Sequence, residues 1–178
     1  PCCNICSKKF ICLILKYTLR KREIRMYYVN NVEKEDFIKM LDFLAKECDT
    51  FCLVEPNVDF PESTDELPDI KKSLSQYLKE ENRVTVWPGT RIKVRRESQK
   101  AIQHIYRCCP NSIEKLKKFS SFFDIEDQID ISFFHGDKCV LFTISHEGIL
   151  MVDLNFWQDF FNNTACTLIK AKNFQMIP

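Results

Sequence analysis

Ile129-Asp-Ile-Ser-Phe-Phe-His135, then Gly136-Asp137, then Lys138-Cys-Val-Leu-Phe-Thr-Ile-Ser145 is the stretch on which the fold turns. Two runs rich in β-branched and aromatic residues flank a two-residue Gly-Asp connection, the signature of a tight hairpin. The turn sets His135 opposite Lys138, and that pairing dictates the register of everything behind it. Side chains alternate across a strand. Ile129, Ile131 and Phe133 therefore share an entirely apolar side with Ile144, Phe142 and Val140. Asp130, Ser132 and Phe134 share a mixed side with Thr143, Leu141 and Cys139. In this register Phe142 is a core residue beneath helices and Thr143 faces away from it.

Working outward, Gly148 to Asp153 reads as a third strand. Asp153 caps a short aromatic helix carrying Leu154, Trp157, Phe160 and Phe161, and Thr167 to Phe174 reads as a last edge strand. Upstream, Asn111 and Glu114 cap a helix over about 112–123, with Ile113, Leu116, Phe119 and Phe123 inward. Ile102 to Cys108 and Arg83 to Trp87 are strands, the latter stopped by Pro88-Gly89. Ile70 to Glu81 is read as one helix with Ile70, Leu74, Tyr77 and Leu78 on its buried stripe. Glu55 to Asp69 is a loop with three prolines, six acids and no base. Thr50 to Val54 is a buried strand. A helix over about 32–47 buries Phe37, Met40, Leu41 and Leu44 and is capped by Asn30 with Glu33 as the reciprocal acid. Met26 to Val29 is a first strand or an extended lead-in. Strands and helices mix without a repeating βαβ unit. The expected class is α+β, a single domain with an antiparallel sheet including the 129–145 hairpin, packed against three or four helices.

Composition agrees with a folded domain. The 178 residues are 45% hydrophobic and 29% charged, with fifteen Phe and only three Gly, so an aromatic core and short loops are expected. No apolar run reaches the ~18 residues that a membrane span needs. Four of the ten cysteines fall in the first twelve residues. The apolar run Phe10 to Leu15 is followed by Lys16 and Arg20-Lys21-Arg22 rather than by a small-residue cleavage site, so it is not read as a secretory signal. Reduced thiols in a cytoplasmic protein are the expectation.

The net charge of +1 hides a boundary. Residues 1–25 carry seven bases against one acid, +6, and the rest carry nineteen bases against twenty-four acids, −5. Cys3-Asn-Ile-Cys6-Ser-Lys-Lys-Phe10 has the opening of a two-Cys, two-His zinc finger, but the histidine positions hold Leu19 and Glu23, and half a ligand set is no site. Purine-rich codons for Arg22-Glu23 read AGG-GAG, a ribosome-binding sequence two codons ahead of an ATG for Met26. Residues 1–25 are accordingly expected to be a translated leader and 26–178 the domain. A mildly acidic domain is a poor polyanion binder, so nucleic acid is not an expected partner.

His146-Glu147 is the most enzyme-like pair, an imidazole and a carboxylate able to serve as base and acid. Successive strand residues point to opposite faces, so the two converge only if Gly148 bends the chain. By register His146 follows Ile144 on the apolar side, and the plainer reading is a hydrogen-bonded histidine at the core margin. His135 and His146 sit at opposite ends of the hairpin, roughly 25 Å apart at ~3.3 Å per residue, which excludes a metal pair. His104 joins His146 only if their strands are neighbours. Cys108-Cys109 and the Cys48, Cys52 pair lack metal-site companions and read as buried thiols. Neither a metal nor a cofactor is expected. The run Arg91, Lys93, Arg95, Arg96 and Lys100 lacks interleaved aromatics and a Gly-rich cradle, so it reads as a solvated connection. Trp87-Pro88-Gly89-Thr90 reads as a strand end locked beneath a loop, and Trp87 and Thr90 are candidate binding residues.

Val86-Trp-Pro-Gly-Thr90, Asp130-Ile-Ser-Phe-Phe134 and Leu141 to His146-Glu147, taken in succession, resemble a pattern of small uncharacterised bacterial proteins. The resemblance implies a bacterial, cytoplasmic protein in which Trp87, Asp130, His146 and Glu147 matter together, and it implies no activity. Two functions remain on this reading. The first is a non-catalytic bacterial protein-binding module of immunity or regulatory type, with a protein partner and no membrane. The second is a small hydrolase or nuclease-like enzyme using His146 and Glu147 with Asp130. A cleft holding those three residues favours the enzyme, and a broad exposed aromatic or acidic patch favours the binder.

Overall fold

Fourteen elements follow one another in the computed structural model, which describes residues 26–55, 69–125, 129–162, 164 and 166–171. They are β1 (Met26–Asn30), α1 (Lys34–Glu47), β2 (Thr50–Glu55), α2 (Asp69–Leu74), β3 (Leu78–Val84), β4 (Val86–Trp87), β5 (Thr90–Arg91), β6 (Ala101–Arg107), α3 (Pro110–Leu116), β7 (Asp130–His135), β8 (Lys138–Ile144), β9 (Ile149–Asp153), α4 (Leu154–Phe161) and β10 (Thr167–Lys170). Eight strands form one antiparallel sheet in the order β10-β1-β9-β8-β7-β2-β6-β3, and β4 with β5 forms a separate ribbon. The α+β class is as expected, with four helices. The proposed leader, the half-finger, most of the acidic loop and the end of the last strand lie outside the described residues. No described helix is long and apolar enough to cross a membrane.

All four helices bury one stripe against the same side of the sheet. Phe37, Met40, Leu41 and Leu44 of α1 meet Ile70 and Leu74 of α2, Ile113 and Leu116 of α3, and Trp157 and Phe161 of α4 over Phe51, Leu53, Ile131, Phe133, Leu141 and Val152. The other side carries smaller apolar groups: Met26, Cys139, Phe142, Ile144 and Met151 in one, Val54, Trp87 and Ala101 in the other.

The hairpin turns where expected, with His135 opposite Lys138, but the register changes behind the turn. Phe134 pairs with Cys139 and Phe133 with Leu141, so Val140 is an extra residue, a β-bulge. Beyond it every β8 side chain is on the side opposite to the expected one. Phe142 lies away from the helices, and Thr143 points toward Ile131, whose backbone N–H donates to Thr143 Oγ1 at 2.9 Å. Both are fully buried because both sides of the sheet are covered here.

Three other expectations need correction. Asn30 does not cap α1, because its backbone is taken by the sheet opposite Thr167. Asn31 turns the chain at φ 57° and Glu33 occupies the cap position without a side-chain bond. The helix from Ile70 stops at Leu74, passes through a tight turn at 75–77 and becomes β3, because the free edge of β6 offers a ladder from Leu78 to Val84. Ile70, Leu74 and Tyr77 are buried as expected, whereas Leu78 is 43% exposed. The helix expected over 112–123 runs Pro110–Leu116. Its cap position is held by Cys109 rather than Asn111, with the Cys109 N–H donating to Ser112 Oγ at 3.0 Å; Phe122 is buried in the core, and Phe119 and Phe123 pack against it partly buried. Asp153 caps α4 as expected, accepting from the Asn155 N–H at 3.1 Å.

Candidate functional site

Trp87 and Asp130, 43 residues apart, meet on the side of the sheet opposite the helices. The β4–β5 ribbon lies over the centre of that side. Its turn residue Gly89 has φ 81°, and a Cβ placed there would stand 2.4 Å from Phe142 Cε2 and 3.1 Å from Ile144 Cδ1. Glycine is required by both conformation and contact. The contact seats the ribbon so that Trp87 Nε1–H donates to Asp130 Oδ2 at 2.7 Å, with Trp87 4% and Asp130 3% exposed.

The second carboxylate oxygen is also taken. The Ser145 backbone N–H donates to Asp130 Oδ1 at 2.7 Å. Ser145 Oγ–H donates to the Ile129 carbonyl at 2.5 Å, which leaves Thr143 Oγ1–H to donate to Ser145 Oγ at 3.2 Å. The chain of donors then runs Ile131 N–H, Thr143, Ser145, Ile129 carbonyl, and closes the base of the hairpin. Burial pushes the Asp130 carboxyl above its ordinary pKa, opposed by the bonds from Ser145 and Trp87 and by the charge of His146.

His146 and Glu147 occupy a one-turn 3₁₀ helix, Ser145–Glu147, that ends at Gly148 in the left-handed conformation. The turn brings His146 Nε2 to 3.7 Å from Glu147 Oε1, with side chains 57% and 53% exposed. His146 is thus not the buried core-margin histidine expected, because the bulge and the early end of β8 place it outside the sheet. The structure brings Trp87 and Asp130 together and sets His146 within electrostatic reach of Asp130. It leaves the His146-Glu147 pair on the surface, whereas Asp130 is buried. Thr90 Oγ1, the other candidate binding atom, belongs to the ribbon itself and is buried without a hydrogen-bond partner.

His104 does not approach His146, since β2 and β7 separate β6 from β8. It lies on the helical side with Nδ1 3.3 Å from Glu81 Oε2, and burial and Lys71 both hold its pKa below the ordinary value. Lys71, itself buried, pairs with Glu55 Oε2 at 2.5 Å. This polar cluster is not legible in the sequence, because helical spacing from Ile70 runs on through Glu81, the residue that closes it. Among the described residues no three His, Cys, Asp or Glu side chains are placed to hold a metal ion. Burial pushes the thiols of Cys52 and Cys108 up to about 12, and those of Cys48 and Cys139 up as well. Cys109 differs: burial raises it, but hydrogen bonds from Ser112 and the charge of Arg107 outweigh that and lower it.

At the opposite side, Phe43 of α1 and Phe156 and Phe160 of α4 are all half-buried. Phe43 lies 5.4 Å from each of the other two ring centroids, and the exposed His135 lies 5.6 Å from Phe156. No protein-family model, curated protein or solved structure matches the chain.

Proposed function

We propose that this domain is a non-catalytic protein-binding module of immunity or regulatory type, acting in the bacterial cytoplasm. The observation that carries the reading is the aromatic patch of Phe43, Phe156 and Phe160 on one side of the helical layer. Phenylalanines that are half-buried and adjacent give a rigid apolar contact surface at little entropic cost, the kind of anchor that dominates protein interfaces. Supporting it, Asp130 has both oxygens engaged inside the fold, so it is built as a tie between ribbon and sheet.

A second reading is favoured by one observation. His146 and Glu147 stand 3.7 Å apart on an exposed turn, an imidazole and a carboxylate adjacent enough to serve as base and acid on a bound substrate in a small hydrolase or nuclease-like enzyme.

The test pairs the purified domain with the product of the neighbouring gene and measures affinity by calorimetry. Phe156→Ser and Phe160→Ser are expected to weaken binding about tenfold or more while His146→Ala leaves it unchanged. Full affinity in the Phe variants, with turnover of an ester or oligonucleotide lost on His146→Ala, would overturn the binding reading in favour of the enzyme.

A further inference from the structure

An open cleft of about 510 Å³ lies between α2 and α3, within the size range of small-molecule sites. Ile70, Lys72 and Ser73 line it from α2, and Lys115, Lys118 and Phe119 from α3 and the turn that follows. Among the described residues, three lysines and no acid face one space. Their sequence neighbours behave differently: Lys71 pairs with Glu55, and Lys117 bridges Asp42 at 2.7 Å and Glu114 at 2.6 Å. Successive helical residues lie about 100° apart, so while Lys71 turns to the sheet Lys72 turns to the cleft. Lys72, Lys115 and Lys118 pair with no described acid.

Ammonium groups sharing a cleft repel one another when it is empty, and each gains when a multivalent anion enters. The lining also has an apolar part. Phe119 is half-buried, with Ile70 beside it in the lining. Ser73 Oγ–H already donates to the Ile70 carbonyl at 2.9 Å, so its oxygen faces a ligand as an acceptor, suited to a sugar hydroxyl. The solvated basic run at 91–100 has charge without such a wall, which is the distinction between a charged surface and a site.

We propose that this cleft binds a phosphate-bearing small molecule of the mononucleotide class, its phosphates held by Lys72, Lys115 and Lys118 and its ring on Phe119. The site is separate from the aromatic patch and does not depend on the binding function proposed for it.

Calorimetric titration of the full chain with ATP, tripolyphosphate and an oligoglutamate peptide tests the parts. ATP is expected to saturate one site, and tripolyphosphate, lacking a ring, to bind several-fold more weakly. Lys115→Ala with Lys118→Ala should weaken ATP about tenfold or more. Phe119→Leu should weaken ATP and leave tripolyphosphate unchanged. Lys46→Ala and Lys170→Ala, outside the cleft, should change neither, and melting curves on each variant check that it is folded. Absence of saturation below about 5 mM ATP, or an equal loss from the outside lysines, overturns the site. Equal affinity for ATP and tripolyphosphate overturns the role of Phe119. Tighter binding of oligoglutamate than of ATP overturns the phosphate ligand and assigns the cleft to an acidic peptide.

Discussion

The two sides of the sheet are closed by different physics. On one, four helices bury wide aliphatic and aromatic stripes, and stability is spread over more than two dozen mutually packed side chains. On the other, a ribbon of two two-residue strands, with the single turn between them, covers Phe142 and Ile144, held by the glycine contact, the packing of Trp87 on Val54 and Ala101, and one buried Trp–Asp hydrogen bond. The helical side tolerates substitution that keeps volume and polarity pattern. The ribbon side depends on a few groups at fixed positions, each of which has a defined partner. Distributed packing and point attachment make opposite predictions about where single substitutions hurt.

Phe142→Ala is the largest of these. It empties a fully buried ring position between sheet and ribbon and should cost about 3–5 kcal/mol in chemical denaturation. A cost below about 1 kcal/mol would mean that the ribbon does not seat on the sheet. Asp130→Ala comes next. It leaves the Trp87 Nε1–H and the Ser145 N–H buried without acceptors, at about 2–4 kcal/mol together. Trp87 fluorescence should shift to the red as the ribbon lifts. An unshifted spectrum would break the point-attachment picture even if stability fell.

These same residues show what a sequence can and cannot reveal. The hairpin, its turn, the third strand and the Asp153 cap follow from alternation and turn chemistry, which are local. The bulge at Val140 does not. Val140 and Leu141 both join the helical core, and only the helices packed above them make room for two consecutive inward residues. Likewise 70–81 has helical spacing throughout, and the unpaired edge of β6 overrides it from Leu78 onward. Trp87 and Asp130 both stand out in the sequence, but their contact depends on Gly89 approaching Phe142, and the bulge is what places Phe142 on that side. The Lys72, Lys115 and Lys118 cleft comes from helix packing, with no periodicity of its own.

Gly89→Ala is the next smaller effect. The methyl meets Phe142 and the backbone is held at φ 81°, so about 1–3 kcal/mol is expected. The contact makes a sharper test than the single variant. Combined with Phe142→Leu, the clash with the ring should be relieved, leaving the backbone part and the lesser contact with Ile144, so the two changes should cost less together than summed. Strict additivity would separate the ribbon turn from Phe142 and remove the contact on which the ribbon side is built.

The smallest effect is a pH slope. Burial holds the Asp130 carboxyl above its ordinary pKa despite the opposing hydrogen bonds, so the folded state takes up its proton at a higher pH than the unfolded chain. Such a group contributes stability that is fully present below the unfolded value and declines as pH rises through the folded one. Asp130→Asn removes the titration and keeps one acceptor. It is less stable than the parent at low pH, where the parent carboxyl is neutral and bonded. The gap should then narrow as pH rises from below the usual carboxylate range through the raised value. His146→Ala removes the neighbouring charge that opposes the rise of the Asp130 carboxyl, and should push the end of that window to higher pH. Denaturation midpoints of the three proteins across this range decide it. A gap that widens with pH would mean that the bonds from Trp87 and Ser145 outweigh burial. The ribbon would then be held by an ionised anchor and the contrast between the two sides would grow.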